Sequence, residues 1–362
     1  MFSIVVGTRP EIVKMAPIIL ELENKGMDYE LIHTGQHYSF TLSELFFKEL
    51  QLPKPDHLLD VGSGTHASQT ARALVKLENA FLRESPAMVL VEGDTNSVLA
   101  GALAGIKLGL DVGHVESGLR SFDRRMPEEY NRILADHMST HLFAPTKLSA
   151  ANLKNEGIHG KIFITGNTVI DSCLRYMPIA LKHSRIMEKV NLDEFALVTA
   201  HRAENVDNGA VLKDFLKIFM NCPIPVVYPI HPRTLKRFKD FGLHAKLAAS
   251  NNIHLIEPQG YFDFLVLMKH CAFILTDSGG IQEEITAPNL RKKAFVMRLS
   301  TDRPESVEAG YAEVVGVKYP KAIRRIREFY ENPDPPKRPS PYGQGDAAKR
   351  IVDILKKEYG EI

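Results

Sequence analysis

The chain has 362 residues, and its 45 lysines and arginines are balanced by 44 aspartates and glutamates. The length suits two domains, and the near-zero net charge excludes a global attraction to nucleic acid or to an anionic membrane surface. The three cysteines, Cys173, Cys222 and Cys271, form no CxxC pair, which argues against a disulfide framework or a thiolate metal site.

The sequence also shows no basic leader and no run of the roughly 20 apolar residues that a spanning helix needs. We therefore expect a cytoplasmic protein with neither a membrane nor a nucleic acid as its partner.

Short apolar runs recur along the chain, and each is followed by polar turn residues and then by an amphipathic stretch. Strands that alternate with helices in this way predict an α/β protein with parallel sheets covered on both faces. We expect two Rossmann-like doubly wound domains with an interdomain cleft, and ligands beyond the carboxyl ends of the strands. The predicted strands are residues 3–6, 30–34, 88–92, 112–115 and 162–165, and then 196–200, 225–229, 253–256, 273–276 and 294–297.

The domain boundary is predicted near Gly166-Asn167-Thr168. The first domain would span residues 1–168 and carry carboxylates, and the second would span 169–345. A C-terminal helix over 346–362 could pack back on the first domain.

The first strand is followed by Gly7-Thr8-Arg9-Pro10-Glu11, with Lys14 a helical turn further on. This segment is neither GxGxxG nor a Walker loop, so nicotinamide, flavin and P-loop chemistry lose their usual support. Arg9 and Lys14 instead place two cations at a strand end, where they suit a diphosphate.

Three carboxylates follow strands or open helices of the first domain. Asp94 comes after strand 88–92, Glu116 after strand 112–115, and Glu128 in a helix start at 126–132. Crowded carboxylates raise each other's pKa, and such a group can supply a general acid and a general base. A magnesium site is the alternative, because carboxylate clusters also bind hard cations.

Two histidines follow strands of the second domain, His201 after 196–200 and His231 after 225–229. A histidine in this position can donate to a leaving phosphate or act as acid or base. No HxxxH or HxH spacing is present, so metal binding is the lesser interpretation.

The segment Asp277-Ser278-Gly279-Gly280-Ile281-Gln282-Glu283-Glu284 follows strand 273–276 and opens a helix. Such a turn leaves several backbone N–H groups pointing one way, which is a site for a diphosphate. Glu284 could accept hydrogen bonds from ribose hydroxyls. The alternative is an ordinary βα turn with Ser278 as N-cap.

Together these segments resemble the non-hydrolysing UDP-N-acetylglucosamine 2-epimerases, over nearly the whole chain. The motifs that carry the resemblance are GTRPEIVKMAP (7–17), TGQH (34–37), EGDTNSVLAG (92–101), GHVESGLRS (113–121), PEEYNR (127–132), GNTVID (166–171), TAHRAEN (199–205), YPIHP (228–232), LTDSGGIQEE (275–284) and RPESVEAG (303–310).

The resemblance implies a glycosyltransferase-B type architecture with the nucleotide held mainly by the second domain. It implies reversible interconversion of UDP-N-acetylglucosamine (UDP-GlcNAc) and UDP-N-acetylmannosamine (UDP-ManNAc), by elimination of UDP to 2-acetamidoglucal and re-addition. Neither a cofactor nor a metal is expected. A homodimer and a role in polysaccharide biosynthesis are also implied.

Motif positions carry the family's functional residues onto this chain. Which carboxylate takes the proton in which direction stays open. The catalytic group would be Asp94, Glu116, Glu128 and His201, and the substrate contacts Arg9, Lys14, Gln259, Phe264, Ser278, Gly279, Gly280, Glu284 and Arg303.

A second UDP-GlcNAc site, used by some bacterial members for activation, would involve Gln36, Arg202 and His231. The chain departs from that pattern in two places. The loop 62–65 lacks the family's glutamine, and Ala203 replaces an arginine that often follows His-Arg. Activation is therefore less well supported than catalysis.

Three other classes compete with this interpretation. A UDP-sugar glycosyltransferase would need an acceptor site, and a nucleotide-sugar sensor would not need three carboxylates. A hydrolysing epimerase, which releases free N-acetylmannosamine, is the nearest alternative.

Overall fold

The computed structural model describes residues 1–36 and 46–360. The chain divides into two compact units, of which the first comprises residues 1–172 with the C-terminal segment from Tyr342, and the second Cys173–Pro341. The division falls inside a helix, a few residues beyond the boundary expected from the sequence. In the part of the chain that the structure describes, no helix is both long enough and apolar enough to cross a membrane.

The first unit is built on a seven-stranded parallel sheet with the order β3-β2-β1-β4-β5-β6-β7. Its elements up to the domain division are β1 (Phe2–Val6), α1 (Arg9–Asn24), β2 (Tyr29–His33), β3 (His57–Leu58), α2 (His66–Glu84), β4 (Met88–Glu92), α3 (Asn96–Lys107), β5 (Asp111–Val115), α4 (Pro127–Met138), β6 (His141–Ala144), α5 (Lys147–Asn155), β7 (Lys161–Ile164) and α6 (Thr168–His183), which crosses the division.

The second unit is built on a six-stranded parallel sheet with the order β10-β9-β8-β11-β12-β13. Its elements are α7 (Ile186–Val190), β8 (Ala196–Thr199), α8 (Ala203–Val206), α9 (Gly209–Met220), β9 (Val226–Pro229), α10 (Pro232–Asp240), α11 (His244–Ala248), β10 (Ile253–Ile256), α12 (Tyr261–His270), β11 (Phe273–Thr276), α13 (Gly279–Glu284), β12 (Ala294–Val296), α14 (Pro304–Glu308), β13 (Ala312–Val314) and α15 (Tyr319–Glu331).

Both sheets have the same doubly wound topology. The strand order reverses between β1 and β4 in the first sheet and between β8 and β11 in the second. With right-handed crossovers, this reversal places helices on both faces of each sheet and opens a crevice at the carboxyl ends of the central strands. The predicted α/β fold class, two Rossmann-like doubly wound units, is confirmed.

Central strands are largely apolar because both of their faces are covered. All five residues of β4 are buried, and β4 pairs with β1 and β5. Gly101 lets α3 lie close to this strand, since a Cβ there would come within 2.9 Å of the Val91 side chain. Burial of side chains such as Val91 contributes about 1.5–3 kcal/mol each.

Three strands were missing from the sequence prediction: β3, β6 and β13. Strand β3 has two residues and β13 has three, so neither shows a periodic pattern. Strand β6 follows α4 after only two residues, so its apolar run merges with the helical pattern.

The C-terminal helix α16 (Ala347–Tyr359) belongs to the first unit. Asp171 accepts hydrogen bonds from the backbone N–H groups of Ala347 (3.3 Å) and Ala348 (3.0 Å) at its start. At its end the Tyr359 hydroxyl donates to Asp111 Oδ2 at 2.6 Å. Both ends of the helix are thus fixed to elements of this unit.

Candidate active site

A buried lysine lies between two carboxylates at the carboxyl edge of the first sheet. Lys14, on α1, contacts Glu116 Oε2, and its Nζ lies 3.1 Å from Glu92 Oε1. Asn167 Nδ2 donates a hydrogen bond of 2.9 Å to the same Glu116 oxygen. Lys14 is 9% exposed and Glu92 is 1% exposed. Buried charges are costly unless they are paired, so a Glu116 side chain that turned away would leave a buried charge without its partner. These contacts therefore hold Glu116 in one orientation.

The backbone of Glu116 is itself unusual. Its φ of 66° lies in the left-handed region, which residues other than glycine rarely adopt. Strain of this kind clusters at functional sites, where the surrounding contacts maintain it. The conformation therefore supports the selection of Glu116 as a site residue.

Two buried carboxyls that the sequence analysis did not select have raised pKa values. Burial raises the pKa of Glu92 well above its usual range; Lys14 opposes this shift and the charge of Glu116 adds to it. Burial also raises the pKa of Glu11 to about 7, although Thr95, Gly7 and Thr8 donate hydrogen bonds that lower it. Both groups could therefore hold a proton near neutral pH.

Glu11 fixes the loop that follows β1. The Gly7 N–H donates to its Oε2 at 2.6 Å and the Thr8 hydroxyl donates to its Oε1 at 3.0 Å. Glu92 is the last residue of the otherwise apolar strand β4, and Glu11 lies in the first turn of α1, directly before buried Ile12 and Val13. A carboxylate directly beside a buried apolar run is the signal that could have identified them from the sequence.

Two side chains of helix α4 fix the position of Asp94. Arg132 contacts its carboxylate, and Asn131 Nδ2 donates to its backbone carbonyl at 2.9 Å. Arg132 also donates to Glu129 Oε2 at 2.8 Å. The Asp94 side chain keeps 30% of its surface exposed, so it can reach a ligand.

Glu129 organises the turn before α4. It accepts hydrogen bonds from the Ser121 N–H (3.0 Å), the Ser121 hydroxyl (2.8 Å) and the Phe122 N–H (2.8 Å). Its neighbour Glu128, predicted to be catalytic, lies half-buried in the first turn of the same helix. Glu128 and Arg132 are four residues apart, on the same face of α4.

A buried histidine supports the loop that carries Asp94. His114, within β5, places Nε2 2.8 Å from the Gly93 carbonyl oxygen and Nδ1 2.7 Å from Asp136 Oδ1. Arg120 lies 2.7 Å from the other oxygen of Asp136. His114 thus contacts the loop directly, and Asp136, paired with Arg120, holds the imidazole in place.

Gln36, predicted for an activator site, lies in a hydrogen-bond network at the end of β2. Its Oε1 accepts from the Ser97 hydroxyl at 2.8 Å, and its backbone carbonyl accepts from Gln69 Nε2 at 2.9 Å. Gly7 is required here, since a Cβ would collide with the Ser97 hydroxyl. His37 of the TGQH motif lies outside the described residues.

Arg9 begins α1 at the same edge of the sheet. It is half-buried, and its guanidinium lies 5.5 Å from the centre of the Phe46 ring. The first unit thus brings Arg9, Lys14, Asp94 and Glu116 to its carboxyl edge.

In the second unit a buried aspartate joins the ends of β8 and β11. Asp277 is fully buried and accepts from the backbone N–H groups of His201 (3.1 Å) and Arg202 (3.0 Å) and from Asn205 Nδ2 (3.2 Å). His201 Nδ1 lies 3.8 Å from Asp277 Oδ1. In the sequence this aspartate is visible only as part of a motif, whereas in the structure it fixes the turn that carries His201.

His231 lies next to His201, with 6.4 Å between the ring centres. Its Nδ1 accepts a hydrogen bond from the Arg233 N–H at 3.2 Å. Burial lowers the pKa of His231, and His201 and Arg233 act in the same direction. A neutral ring with its proton on Nε2 fits these contacts.

The Ser278-Gly279-Gly280 turn leads from β11 into α13. The Ser278 N–H donates to Thr276 Oγ1 at 2.9 Å, but within the described part of the chain the Ser278 side chain does not cap the helix. The ordinary N-cap alternative is therefore not what this serine does. A Cβ at Gly280 would meet nothing within 4 Å, so its backbone is open to close approach.

Arg303, a predicted substrate contact, is 5% exposed and ion-paired. Its Nε donates to Glu283 Oε1 at 2.5 Å, and its Nη1 lies 3.1 Å from Asp302 Oδ2. These contacts fix α13 to the segment before α14.

The remaining predicted contacts lie at the start of α12 and at the end of α13. Gln259 and Phe264 are half-buried; Gln259 precedes Gly260, the N-cap of α12, and Phe264 lies in the first turn of that helix. Gln259 Nε2 donates to the Glu257 carbonyl oxygen at 2.6 Å. Glu284 is half-buried at the end of α13.

These features define a class. Two doubly wound sheets with polar loops at their carboxyl edges are typical of Rossmann-like nucleotide-binding proteins. Carboxylates held by Lys14 and Arg132 at one of those edges suit acid–base chemistry.

Comparison with known proteins narrows the class. The sequence model described as UDP-N-acetylglucosamine 2-epimerase matches residues 20–356. A UDP-N-acetylglucosamine 2-epimerase from Methanocaldococcus jannaschii is 47% identical over 98% of this chain and 98% of its own length. A crystal structure of the M. jannaschii UDP-GlcNAc 2-epimerase, in complex with UDP-GlcNAc and UDP, matches with a TM-score of 0.91 and 47% identity, covering 98% of this chain and 99% of that chain.

A more distant relative is named for a different substrate. The UDP-2,3-diacetamido-2,3-dideoxy-D-glucuronate 2-epimerase of Pseudomonas aeruginosa is 38% identical over 98% of each chain. The chain belongs to the UDP-N-acetylglucosamine 2-epimerase family, which confirms the family and the enzyme class predicted from the sequence.

Proposed function

We propose that this chain interconverts UDP-GlcNAc and UDP-ManNAc by elimination of UDP and re-addition. The observation that carries the proposal is the pair of oriented carboxylates, Glu116 held by Lys14 and Asn167, and Asp94 held by Arg132. The names of the relatives support the substrate, since the 47% identical protein is a UDP-N-acetylglucosamine 2-epimerase.

The chemistry requires a coupled loss of a proton and a leaving group. No carbonyl group is adjacent to C2, so the C2–H bond is not acidic by itself. A carboxylate takes the C2 proton, the C2–H electron pair forms the C1=C2 bond of 2-acetamidoglucal, and the C1–O bond breaks with its electrons on UDP. Return of a proton to the opposite face of C2, with re-addition of UDP at C1, gives the epimer.

We assign the proton transfers to Asp94, Glu116 and Glu128 as a group. Glu116 and Asp94 each have a cationic partner that keeps them oriented. The neighbouring carboxyls Glu11 and Glu92 would be protonated near neutral pH and could supply a proton to this group, because burial raises the pKa of both. His201, fixed by Asp277, would act on the departing diphosphate.

We assign nucleotide binding mainly to the second unit. The turn Ser278–Gly280 would bind the diphosphate through its backbone N–H groups. Arg9, in the first unit, stays a proposed substrate contact. Gln259 and Phe264 would contact uracil and ribose, and Glu284 would accept from the ribose hydroxyls. Arg303, paired with Glu283, would act at least in part by holding α13.

Proton NMR of UDP-GlcNAc incubated with the protein in deuterated water tests the proposal. We expect UDP-ManNAc with deuterium at C2. An epimer without deuterium would overturn the proton-transfer mechanism, and free N-acetylmannosamine with UDP would indicate a hydrolysing enzyme. If the protein turns over UDP-2,3-diacetamido-2,3-dideoxy-D-glucuronate and not UDP-GlcNAc, its substrate is the one for which the P. aeruginosa relative is named.

Three further assignments rest on the resemblance. We propose a cytoplasmic homodimer, so light scattering should give twice the chain mass of 40.5 kDa. We also propose that Gln36, Arg202 and His231 would bind any second UDP-GlcNAc molecule. A role in polysaccharide biosynthesis would follow from the product.

A further inference from the structure

The amino-terminal edge of the first sheet carries three metal-ligating side chains from three different elements. Glu30 is the second residue of β2, His57 is the first residue of β3, and Glu84 is the last residue of α2. The proposed catalytic residues lie at the carboxyl ends of the strands, so this cluster is at the opposite edge of the same sheet. The reaction proposed above does not use it.

The separations within this cluster fit a single metal ion. His57 Nε2 lies 3.0 Å from Glu30 Oε2 and 3.5 Å from Glu84 Oε1, and the three ligand atoms lie within 4.8 Å of one another. In a tetrahedral zinc site with bonds of about 2.0–2.2 Å, neighbouring ligand atoms are about 3.3–3.5 Å apart. Only small side-chain adjustments separate the observed atoms from that geometry.

Glu30 gives independent support for a cation here. It is 4% exposed, and its Oε1 accepts from the Ser3 hydroxyl. Its Oε2 is buried and accepts no well-formed hydrogen bond from any described residue, although His57 Nε2 lies 3.0 Å away. This oxygen is therefore available to a cation that the imidazole nitrogen could also bind.

The charge of the cluster is also incompletely balanced. Within the described ranges, neither Glu30 nor Glu84 forms an ion pair with a lysine or an arginine. A buried carboxylate of this kind is stabilised by a bound cation.

The outer side of the cluster is open. The side chains of His57 and Glu84 are 23% and 36% exposed, so an ion could enter and water could complete its coordination. An imidazole ligand beside two carboxylates favours zinc and related transition metals over magnesium and calcium, which prefer oxygen ligands alone.

We propose that Glu30, His57 and Glu84 form a binding site for a divalent transition-metal ion of the zinc type. The ion would join the two-residue edge strand β3 and the end of α2 to β2. Its role would be to stabilise the first unit, since binding to the folded state alone raises the free energy of unfolding.

The test uses the full-length protein, stripped with a chelator and then freed of it. Zinc titration by calorimetry should show a saturable site of one ion per chain, and zinc should raise the unfolding midpoint by a few degrees. Cobalt should give the intense visible absorption of a tetrahedral site. His57→Gln and Glu84→Gln should lose that site, the absorption and the midpoint shift.

The matched control is Glu78→Gln, an exposed carboxylate on the same helix as Glu84. It should keep the site unchanged. The chain has 14 histidines, so zinc could also bind weakly elsewhere. The proposed site is distinguished from such binding because His57→Gln should lose one equivalent of bound zinc and the cobalt absorption. Circular dichroism should show that both variants fold. No saturable site in the parent, or an unchanged site in both variants, would overturn the proposal and leave an ordinary ion-pair cluster.

Discussion

Arg132, one turn into helix α4, contacts the carboxylate of Asp94 at the end of β4. Its other terminal nitrogen donates to Glu129 at 2.8 Å, and Glu129 in turn holds the turn at Ser121. One planar guanidinium therefore orients a proposed catalytic carboxylate and also fixes the loop beside it.

Arg132→Lys should slow turnover without unfolding the protein. Lysine keeps the charge but cannot donate to Asp94 and Glu129 through a planar fork, so Asp94 loses its orientation. We expect kcat to fall by roughly 10- to 100-fold while the affinity for UDP stays the same. Arg125→Lys is the control, because Arg125 is exposed and contacts the nearby Asp123. Equal kcat values for the two variants would remove Arg132 from the positioning of Asp94.

Asp94→Asn and Glu116→Gln should separate binding from chemistry. Each substitution keeps the shape of the side chain and removes its basicity. We expect kcat to fall by roughly 100-fold or more in each, with little change in UDP affinity measured by calorimetry. The exposed Asp28→Asn serves as control. Normal turnover of both carboxamides would assign these carboxylates to structure alone.

Glu11 predicts a pH dependence of stability. Burial raises its pKa from 4.5 to about 7, so between these values the folded state binds more protons than the unfolded state. Stability from this group is therefore fully present below about pH 4.5 and is lost as the pH rises through 7. The shift corresponds to roughly 3 kcal/mol.

Urea unfolding of the parent and of Glu11→Gln at pH 5 and pH 8 measures this effect. Glutamine cannot ionise, so the variant should lose less stability than the parent between the two pH values. The comparison cancels the contributions of other carboxyls with raised pKa values, such as Asp171. An identical pH dependence in both proteins would show that Glu11 is ionised throughout.

The sequence predicted the fold class and the edges where the polar residues gather, because buried parallel strands produce continuous apolar runs. It did not predict β3 or β13, which are too short to show a period. It also missed Glu92, Arg132 and Asp277 as individual site residues. Their roles depend on side chains from elements far apart in the sequence, such as Lys14 with Glu92, and no local pattern records that pairing.

Chelation should leave turnover intact. Lys14 supplies the positive charge between Glu92 and Glu116 that a magnesium ion would supply in the alternative interpretation of the carboxylates. We expect kcat measured with excess EDTA to equal kcat without it, at a temperature well below unfolding. Loss of turnover with EDTA, and its recovery with magnesium, would show that the carboxylates bind a catalytic metal.

Gly280→Ala tests the proposed diphosphate turn. A Cβ at this position would meet nothing within 4 Å, and the residue lies in the first turn of α13, so the fold has room for alanine. The free energy of unfolding should therefore stay equal or rise by up to about 1 kcal/mol from the better helix propensity. If backbone N–H groups of this turn bind a diphosphate at close range, the new methyl group obstructs the ligand. We expect UDP to bind roughly 10-fold more weakly or worse by calorimetry, which corresponds to about 1.4 kcal/mol.

Ser278→Ala is the companion variant. It removes the hydroxyl and keeps the backbone turn, since the serine side chain does not cap α13 in the described structure and its N–H still reaches Thr276. A smaller loss of UDP affinity than in Gly280→Ala would attribute the binding chiefly to backbone groups. If Gly280→Ala binds UDP as the parent does and is equally stable, no ligand approaches this backbone closely, and the diphosphate must be bound by other groups.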